Sequence, residues 1–350
     1  MRDLPPLPVY DRLRSYEWNY DHPPHPVPLD LPPMPGVWQF CGLPVGAPLG
    51  VPAGPLLNGR WWLYYASLGF DELTYKTVRS RPRECYPLPN LQPVRCGQLH
   101  GGEQDLPACD AMDETWAVAN GMPSQPPAVW QSDIQWTRDR LDSAKVLSVS
   151  VVGTMQADWT IDDLAADYAW CARAAVDSGA DVVETNFSCP NVATCDGQLY
   201  QHAADASHCA AAVRDAIGTT PYLVKIGHVE SAEGADRLLA ALAPFVDGLV
   251  MTNSIAATVV DQRGERLFDG QKRGICGGAI RDASLAQTRL FGQRLPNAGE
   301  PLQLIGVGGV FTAAHVRAYL DAGATAVHVA TAAMTHPDVA LAIRDAWDGT

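Results

Sequence analysis

Eight short apolar runs constrain the fold more than any other feature of the sequence, because each is long enough for one buried β-strand. They are residues 46–53, 70–77, 146–152, 181–187, 221–226, 248–253, 302–307 and 326–330. Amphipathic helical patterns separate most of them; in one, Leu164, Tyr168, Cys171 and Ala175 recur every three or four residues. Eight strands that alternate with helices predict an α/β protein of the (β/α)8 TIM-barrel class. An open, doubly wound sheet is the alternative, but no GxGxxG motif follows the first run.

The remaining sequence predicts how the chain is divided. Residues 1–45 are rich in proline and aromatic side chains, which favours an irregular segment packed on the barrel, with a disordered linker as the alternative. Residues 46–350 would then form the barrel itself. Two long insertions, residues 79–145 and 256–280, follow the second and sixth strands on the carboxyl side, where barrel proteins build their active sites.

Composition excludes several classes of partner. The formal net charge of −14 argues against nucleic acid and anionic membrane surfaces, and no apolar run approaches the roughly 18 residues of a membrane span. The nine cysteines form no CxxC pair and no secretory segment is visible, so we expect free thiols and a cytoplasmic location. Their spacing fits no metal site. We therefore expect a small-molecule substrate, and a homodimer is compatible with the sequence.

The fourth strand and the loop after it carry the strongest sign of chemistry. Alternation places Val182, Glu184 and Asn186 on one face of this strand, and buried Glu and Asn are costly unless they bind something. A thiol, Cys189, follows at the strand end and is flanked by Asn186 and Asn191. A lone cysteine is usually a small buried hydrophobe. Its position here favours a catalytic Cys189, with Asn186 and Asn191 orienting the substrate.

The six residues Asn-Phe-Ser-Cys-Pro-Asn at 186–191 resemble the N-L-S-C-P-N signature of dihydroorotate dehydrogenases and of the related domain of dihydropyrimidine dehydrogenases. The resemblance implies an FMN-dependent oxidoreductase of pyrimidine biosynthesis that oxidises dihydroorotate to orotate. In that family the cysteine takes a proton from the substrate and a hydride passes to flavin N5. No iron–sulfur or NAD motif lies in this chain, so fumarate, a partner subunit and oxygen remain alternative electron acceptors.

Polar groups at other strand ends extend the candidate site. Lys76 and Lys225 end the second and fifth strands, and a lysine head in a barrel mouth needs an anionic or electron-rich partner. The resemblance implies that Lys76 contacts both flavin and substrate and that Lys225 lies beside the flavin. It also implies that Asn253 and Ser254, after the sixth strand, face the substrate, with Asn253 touching the cofactor as well.

Small residues after the last two strands predict a phosphate site. Gly308 and Gly309 follow the seventh strand, and Ala330 and Thr331 follow the eighth, where barrels often bind phosphate. Small side chains let backbone N–H groups approach the phosphate closely. The resemblance places the FMN phosphate here. The full set of cofactor-binding residues that it implies is Ala53, Gly54, Lys76, Lys225, Asn253, Gly277, Gly278, Gly308, Gly309, Ala330 and Thr331.

One stretch departs from the family pattern. Residues 117–123 resemble a loop reading N-S-x-G-(L/M)-P, whose Asn binds orotate, but alignment on Gly121 and Pro123 places Val118 at that position. Asn120 is then the candidate substrate ligand, from a shifted position. The departure keeps two alternatives open: a related flavin enzyme acting on another dihydropyrimidine or cyclic enone, and a catalytically silent barrel that acts as a binding protein.

Overall fold

The computed structural model describes residues 6–188, 195–295 and 301–347. Eight parallel strands form a closed barrel in chain order: Leu49–Val51, Glu72–Val78, Val146–Val151, Val182–Asn186, Tyr222–Lys225, Gly248–Met251, Gln303–Val307 and Ala326–His328. Each strand pairs with the next, and the eighth closes on the first through Val327 opposite Leu49. All eight predicted strands are therefore confirmed. Closure excludes the open sheet.

At least one helix follows each strand, and most of the helices cover the outside of the barrel. In chain order they are Gly59–Ser67, Pro127–Arg138, Ile161–Asp177, Ala203–Ile217, Ala232–Leu242, Arg281–Gly292, Ala313–Asp321, Thr331–Thr335 and Val339–Asp345; shorter 3-10 turns are Cys195–Gln201, Phe268–Gly270 and Gly278–Ile280. A capping box between Thr160 and Asp163 starts the third of these helices, which buries its predicted apolar stripe. No helix in the described ranges is both long and apolar enough to cross a membrane.

The barrel interior changes from apolar to polar along its axis. A hairpin of Trp38–Phe40 and Leu43–Val45 lies at the amino-terminal end, where Phe40 joins a buried cluster with strand residues such as Val182 and Leu223. Further along the fourth and fifth strands, the interior contains buried polar side chains, among them Glu184, Asn186 and Lys225. Another buried carboxyl group, that of Glu72, lies at the start of the second strand. The amino-terminal end of the barrel is therefore filled by apolar side chains, and buried polar side chains lie nearer the carboxyl ends of the strands.

The two insertions form a single structure above the carboxyl ends. Their strands make one antiparallel sheet in the order Ile255–Ala257, Arg273–Gly277, Thr115–Val118, Leu91–Pro93, and Leu106–Pro107 pairs with Val259–Val260. This sheet has its own apolar core, which includes Ala117 and Ile275. Both insertions thus lie at the carboxyl ends of the strands, as predicted. They pair with each other although more than a hundred residues of chain separate them.

The amino-terminal segment contacts the first barrel helix. Its short helix, Tyr16–Asp21, is held by the indole N–H of Trp61, which donates to the Asn19 carbonyl at 2.9 Å. The Asn58 carboxamide donates to the Tyr20 carbonyl at 2.8 Å. These contacts fix the short helix close to the mouth of the barrel.

Candidate active site at the carboxyl ends of the strands

One cavity lies between the strand ends and the insertion sheet. Of the residues predicted for the site, twelve line it: Ala53, Gly54, Lys76, Asn120, Asn186, Lys225, Asn253, Gly277, Gly308, Gly309, Ala330 and Thr331. Ser254 and Gly278 are buried beside lining residues without lining the cavity themselves. Cys189 and Asn191 lie outside the described residues. The structure therefore brings together groups from seven strand ends and both insertions.

Two lysines place positive charge in this cavity. Lys76 and Lys225 are only 7% and 5% exposed. The Lys76 ammonium donates to the Gly54 carbonyl at 3.4 Å and lies 5.7 Å from the centre of the Tyr16 ring. Burial raises the pKa of Glu184, and the nearby positive charge of Lys225 partly offsets that effect. Buried ammonium groups are stabilised by anions or electron-rich rings, so the cavity suits such a ligand.

A neutral polar layer lies among the strands below the lysines. The Nε2 atom of His328 is 3.7 Å from an oxygen of Glu72, and both side chains are fully buried. Burial raises the pKa of Glu72 well above its usual range, whereas burial, helped by Lys225, lowers the pKa of His328 to about 3. Both shifts favour the neutral forms, so this contact is not an ion pair despite its distance.

Two asparagines hold the start of the loop that contains Cys189. The Asn186 carboxamide oxygen accepts the Ser188 N–H at 3.0 Å, and its N–H group points at the Met122 sulfur at 3.6 Å. The Asn253 carboxamide donates to the Ser188 carbonyl. Sequence reasoning assigned both asparagines to the substrate and missed this second role. They fix the backbone directly before the predicted catalytic residue.

The far end of the cavity has the properties of a phosphate cradle. Gly308 and Gly309 have φ values of 138° and 62°. A Cβ on Gly308 would lie 2.3 Å from the Ser284 hydroxyl, and one on Gly309 would lie 2.5 Å from the Arg281 Cβ. The Thr331 hydroxyl is buried without a hydrogen-bond partner in the described part of the chain. Close backbone and an unsatisfied hydroxyl fit the phosphate end of FMN.

The insertion sheet gives the cavity an apolar wall. Leu91, Trp116, Val118 and Cys276 line it, and only Val118 was singled out from the sequence. The alternation of the strand Thr115–Val118 carries the missing signal, since Trp116 and Val118 face the cavity while the residue between them faces the sheet core. The described residues contain no cluster of acidic, His or Cys side chains able to hold a metal ion.

Comparisons with known proteins agree with this geometry. A family model described as dihydroorotate dehydrogenase matches residues 37–347. A dihydroorotate dehydrogenase of Dictyostelium discoideum is 30% identical over 95% of this chain and 96% of its own length. The catalytic subunit of an NAD(+)-linked dihydroorotate dehydrogenase B from Desulforudis audaxviator is 26% identical over 87% of this chain and 88% of its own.

A solved structure supports the fold independently. The dihydroorotate dehydrogenase of Eimeria tenella, determined in complex with ferulenol, superposes with a TM-score of 0.74 at 18% identity, covering 95% of this chain and 88% of the other. At this identity the likeness concerns the fold alone. The family match covers the barrel and both insertions that build the cavity. This chain belongs to the dihydroorotate dehydrogenase family.

Proposed function

We propose that this protein is an FMN-dependent dehydrogenase that oxidises dihydroorotate to orotate. The observation that carries the proposal is the convergence of two buried lysines, two asparagines and a glycine cradle in one cavity of a chain from this family. Orotate and dihydroorotate carry a carboxylate and an amide edge. Ammonium groups suit the carboxylate, and carboxamides suit the amide edge.

The cofactor-binding residues divide between two ends of the cavity. Gly308, Gly309 and Thr331 would hold the phosphate, since their backbone and hydroxyl groups offer donors in a space that larger residues would fill. Gly54 and Lys225 would lie along the ring system. When bound, FMN would supply the hydride-accepting chemistry that no amino-acid side chain offers.

The chain itself would supply the base and its orientation. Cys189 is the proposed base; it would remove a proton from the substrate carbon next to a carbonyl group. A free thiol has a pKa of about 8.5, so it is mostly protonated at neutral pH. Nearby positive charge lowers this pKa and favours the thiolate. Lys76 and Lys225 provide that charge at the cavity, and the bonds from Asn186 and Asn253 to Ser188 fix the backbone that leads to the base. Asn120, Asn191 and Ser254 complete the proposed substrate-binding set.

The visible spectrum of the purified protein tests this proposal. We expect bound FMN, and we expect anaerobic addition of dihydroorotate to bleach its absorption band. Protein that remains colourless after incubation with FMN would instead favour a silent barrel that acts as a binding protein.

The charge and cysteine content also support a cytoplasmic enzyme with a small-molecule substrate.

A second candidate function rests on Val118. This residue lies in the cavity wall beside Leu91 and Trp116, where the family pattern has a substrate-binding carboxamide. An apolar wall favours a substrate with an apolar edge, such as another dihydropyrimidine or a cyclic enone. Flavin reduction by 5,6-dihydrouracil or 5,6-dihydrothymine that is faster than reduction by dihydroorotate would favour this second function.

A further inference from the structure

Tyr16, in the amino-terminal segment, lies against the proposed catalytic Lys76. The centre of its ring is 5.7 Å from the Lys76 ammonium, and the two side chains are 5% and 7% exposed. A cation within about 6 Å of an aromatic ring is attracted to the π face, and the attraction grows as water is removed. Tyr16 lies outside the part of the chain that the family model matches.

The Tyr16 ring is held in place by its own helix. Ser15 caps this helix by accepting the Trp18 N–H at 3.1 Å. Bonds from Trp61 and Asn58 to the carbonyls of residues 19 and 20 then attach the helix to the barrel. Burial raises the pKa of Tyr16 well above its usual range, so the phenol stays neutral beside the ammonium. The ring is therefore a fixed neutral surface.

The Lys76 ammonium has two fixed groups near it. The Gly54 carbonyl, from the loop after the first strand, accepts one of its hydrogen bonds at 3.4 Å, and the centre of the Tyr16 ring lies 5.7 Å from it. A lysine side chain has many rotamers, and ordering it costs entropy when a ligand binds. Contacts made before binding remove part of that cost.

We propose that Tyr16 is a positioning residue that holds the Lys76 ammonium in its binding orientation, so that the amino-terminal segment completes the active site. The proposal rests on the role of Lys76 in the proposed function. Tyr16 acts through its ring face, since the ring is the part that lies near the ammonium. Phenylalanine at this position should therefore keep Lys76 in place, whereas an aliphatic residue should not.

The kinetic test compares Tyr16→Phe, Tyr16→Leu and the control Tyr20→Leu. Tyr20 lies on the same short helix, its ring centre 6.3 Å from that of Tyr16. We expect Tyr16→Leu to raise the KM for dihydroorotate or slow flavin reduction by about tenfold, while Tyr16→Phe and Tyr20→Leu stay within about twofold. In a Lys76→Ala background, Tyr16→Leu should have no further effect on flavin reduction or on FMN affinity, measured by fluorescence titration.

A second measurement does not depend on the enzyme reaction. Trace labelling with an amine-reactive reagent, followed by mass spectrometry, reports how accessible Lys76 is in the folded protein. We expect faster labelling of Lys76 in Tyr16→Leu, with thermal unfolding confirming that each variant is folded. Unchanged labelling would overturn the contact. Faster labelling with fully additive effects in the Lys76→Ala background would overturn the positioning role.

The two proposals fail in different ways. If dihydroorotate does not reduce the flavin of the unmodified protein, the proposed function fails. The inference about Tyr16 is then decided by Lys76 labelling and by the double-mutant cycle on FMN affinity. If dihydroorotate does reduce the flavin and Tyr16→Phe loses as much activity as Tyr16→Leu, the inference fails while the proposed function stands.

Discussion

Lys76 and Lys225 account for most of the positive charge in the cavity of a protein whose formal net charge is −14. Each is almost fully buried, so its charge is poorly screened by water and acts strongly on nearby groups. Burial lowers the pKa of His328 to about 3, and the charge of Lys225 adds to that shift. A ligand with a carboxylate or an electron-rich ring would receive the same stabilisation.

Removing the Lys76 ammonium should therefore slow the reaction without unfolding the protein. In Lys76→Ala we expect flavin reduction by dihydroorotate to slow by about 10²-fold, comparable to the loss of one charge-assisted contact in a dry site. Stopped-flow absorbance measures the rate. The matched control is Lys272→Ala, which removes an exposed lysine from the second insertion. Equal rates in the unmodified protein and in Lys76→Ala would show that Lys76 takes no part in flavin reduction.

Asn186 and Asn253 illustrate what residue-level reasoning from the sequence could and could not supply. Their positions at strand ends predicted that they would line one cavity, and both do. The bond from Asn253 to Ser188 could not be predicted, because it depends on how two non-adjacent strands are placed around the barrel. The bond between Asn186 and Ser188 is local, since the two residues are only two apart in the chain. The substrate contacts of both asparagines stay predictions.

At the scale of elements, the loops after the seventh and eighth strands form the cradle for the proposed phosphate. Replacement of Gly309 by valine should abolish FMN retention, because its φ is 62° and a Cβ would lie 2.5 Å from the Arg281 Cβ. Flavin content per folded protein measures the effect. Gly97→Val is the control, since no atom lies within 4 Å of a Cβ built there. Full flavin content in folded Gly309→Val would show that the phosphate does not bind in this cradle.

The polar layer inside the barrel should make stability depend on pH. Burial, helped by the charge of Lys225, lowers the pKa of His328 to about 3 in the folded protein, whereas an unperturbed histidine has a pKa of about 6.5. As pH falls between these values, only the unfolded chain gains a proton on this residue. Its contribution to the free energy of unfolding should thus fall below pH about 6.5, by up to about 1.4 kcal/mol per pH unit.

The variant His328→Gln isolates this effect. Urea unfolding at pH 7, 6 and 5 should show a smaller loss of stability on acidification in the variant than in the unmodified protein. Burial raises the pKa values of Glu72 and Glu184, so these two residues lower the free energy of unfolding as pH rises above the usual pKa of a glutamate. Both residues are present in the variant and in the unmodified protein. The same pH dependence in both proteins would show that His328 is already protonated when folded.

The barrel strands could be predicted because each is encoded by a local apolar run of its own. The insertion sheet could not, since Thr115–Val118 pairs with Arg273–Gly277 from the other insertion, and no local pattern joins the two. Long-range pairing of this kind depends on the finished barrel, which brings both insertions to the same face. The apolar cavity wall and the position of Val118 were consequences of that pairing.

At the scale of the whole molecule, three parts of the chain meet in or beside the cavity. The barrel supplies the strand ends, the paired insertions supply the apolar wall, and the amino-terminal segment brings Tyr16 to Lys76. Both lysines are almost fully buried there, which strengthens their charge interactions within the site.

The rate of flavin reduction by dihydroorotate, measured anaerobically by stopped-flow in the unmodified protein and in Cys189→Ala, tests whether Cys189 is the base. We predict rapid reduction in the unmodified protein and a loss of about 10²–10⁴-fold in Cys189→Ala, because a positioned base contributes that much. FMN content should be unchanged in the variant. The control is Cys195→Ala, which removes the next cysteine along the chain, and its flavin should be reduced at the normal rate. Equal rates in the unmodified protein and in Cys189→Ala would show that Cys189 is not the base. So would a loss of rate in Cys195→Ala but not in Cys189→Ala.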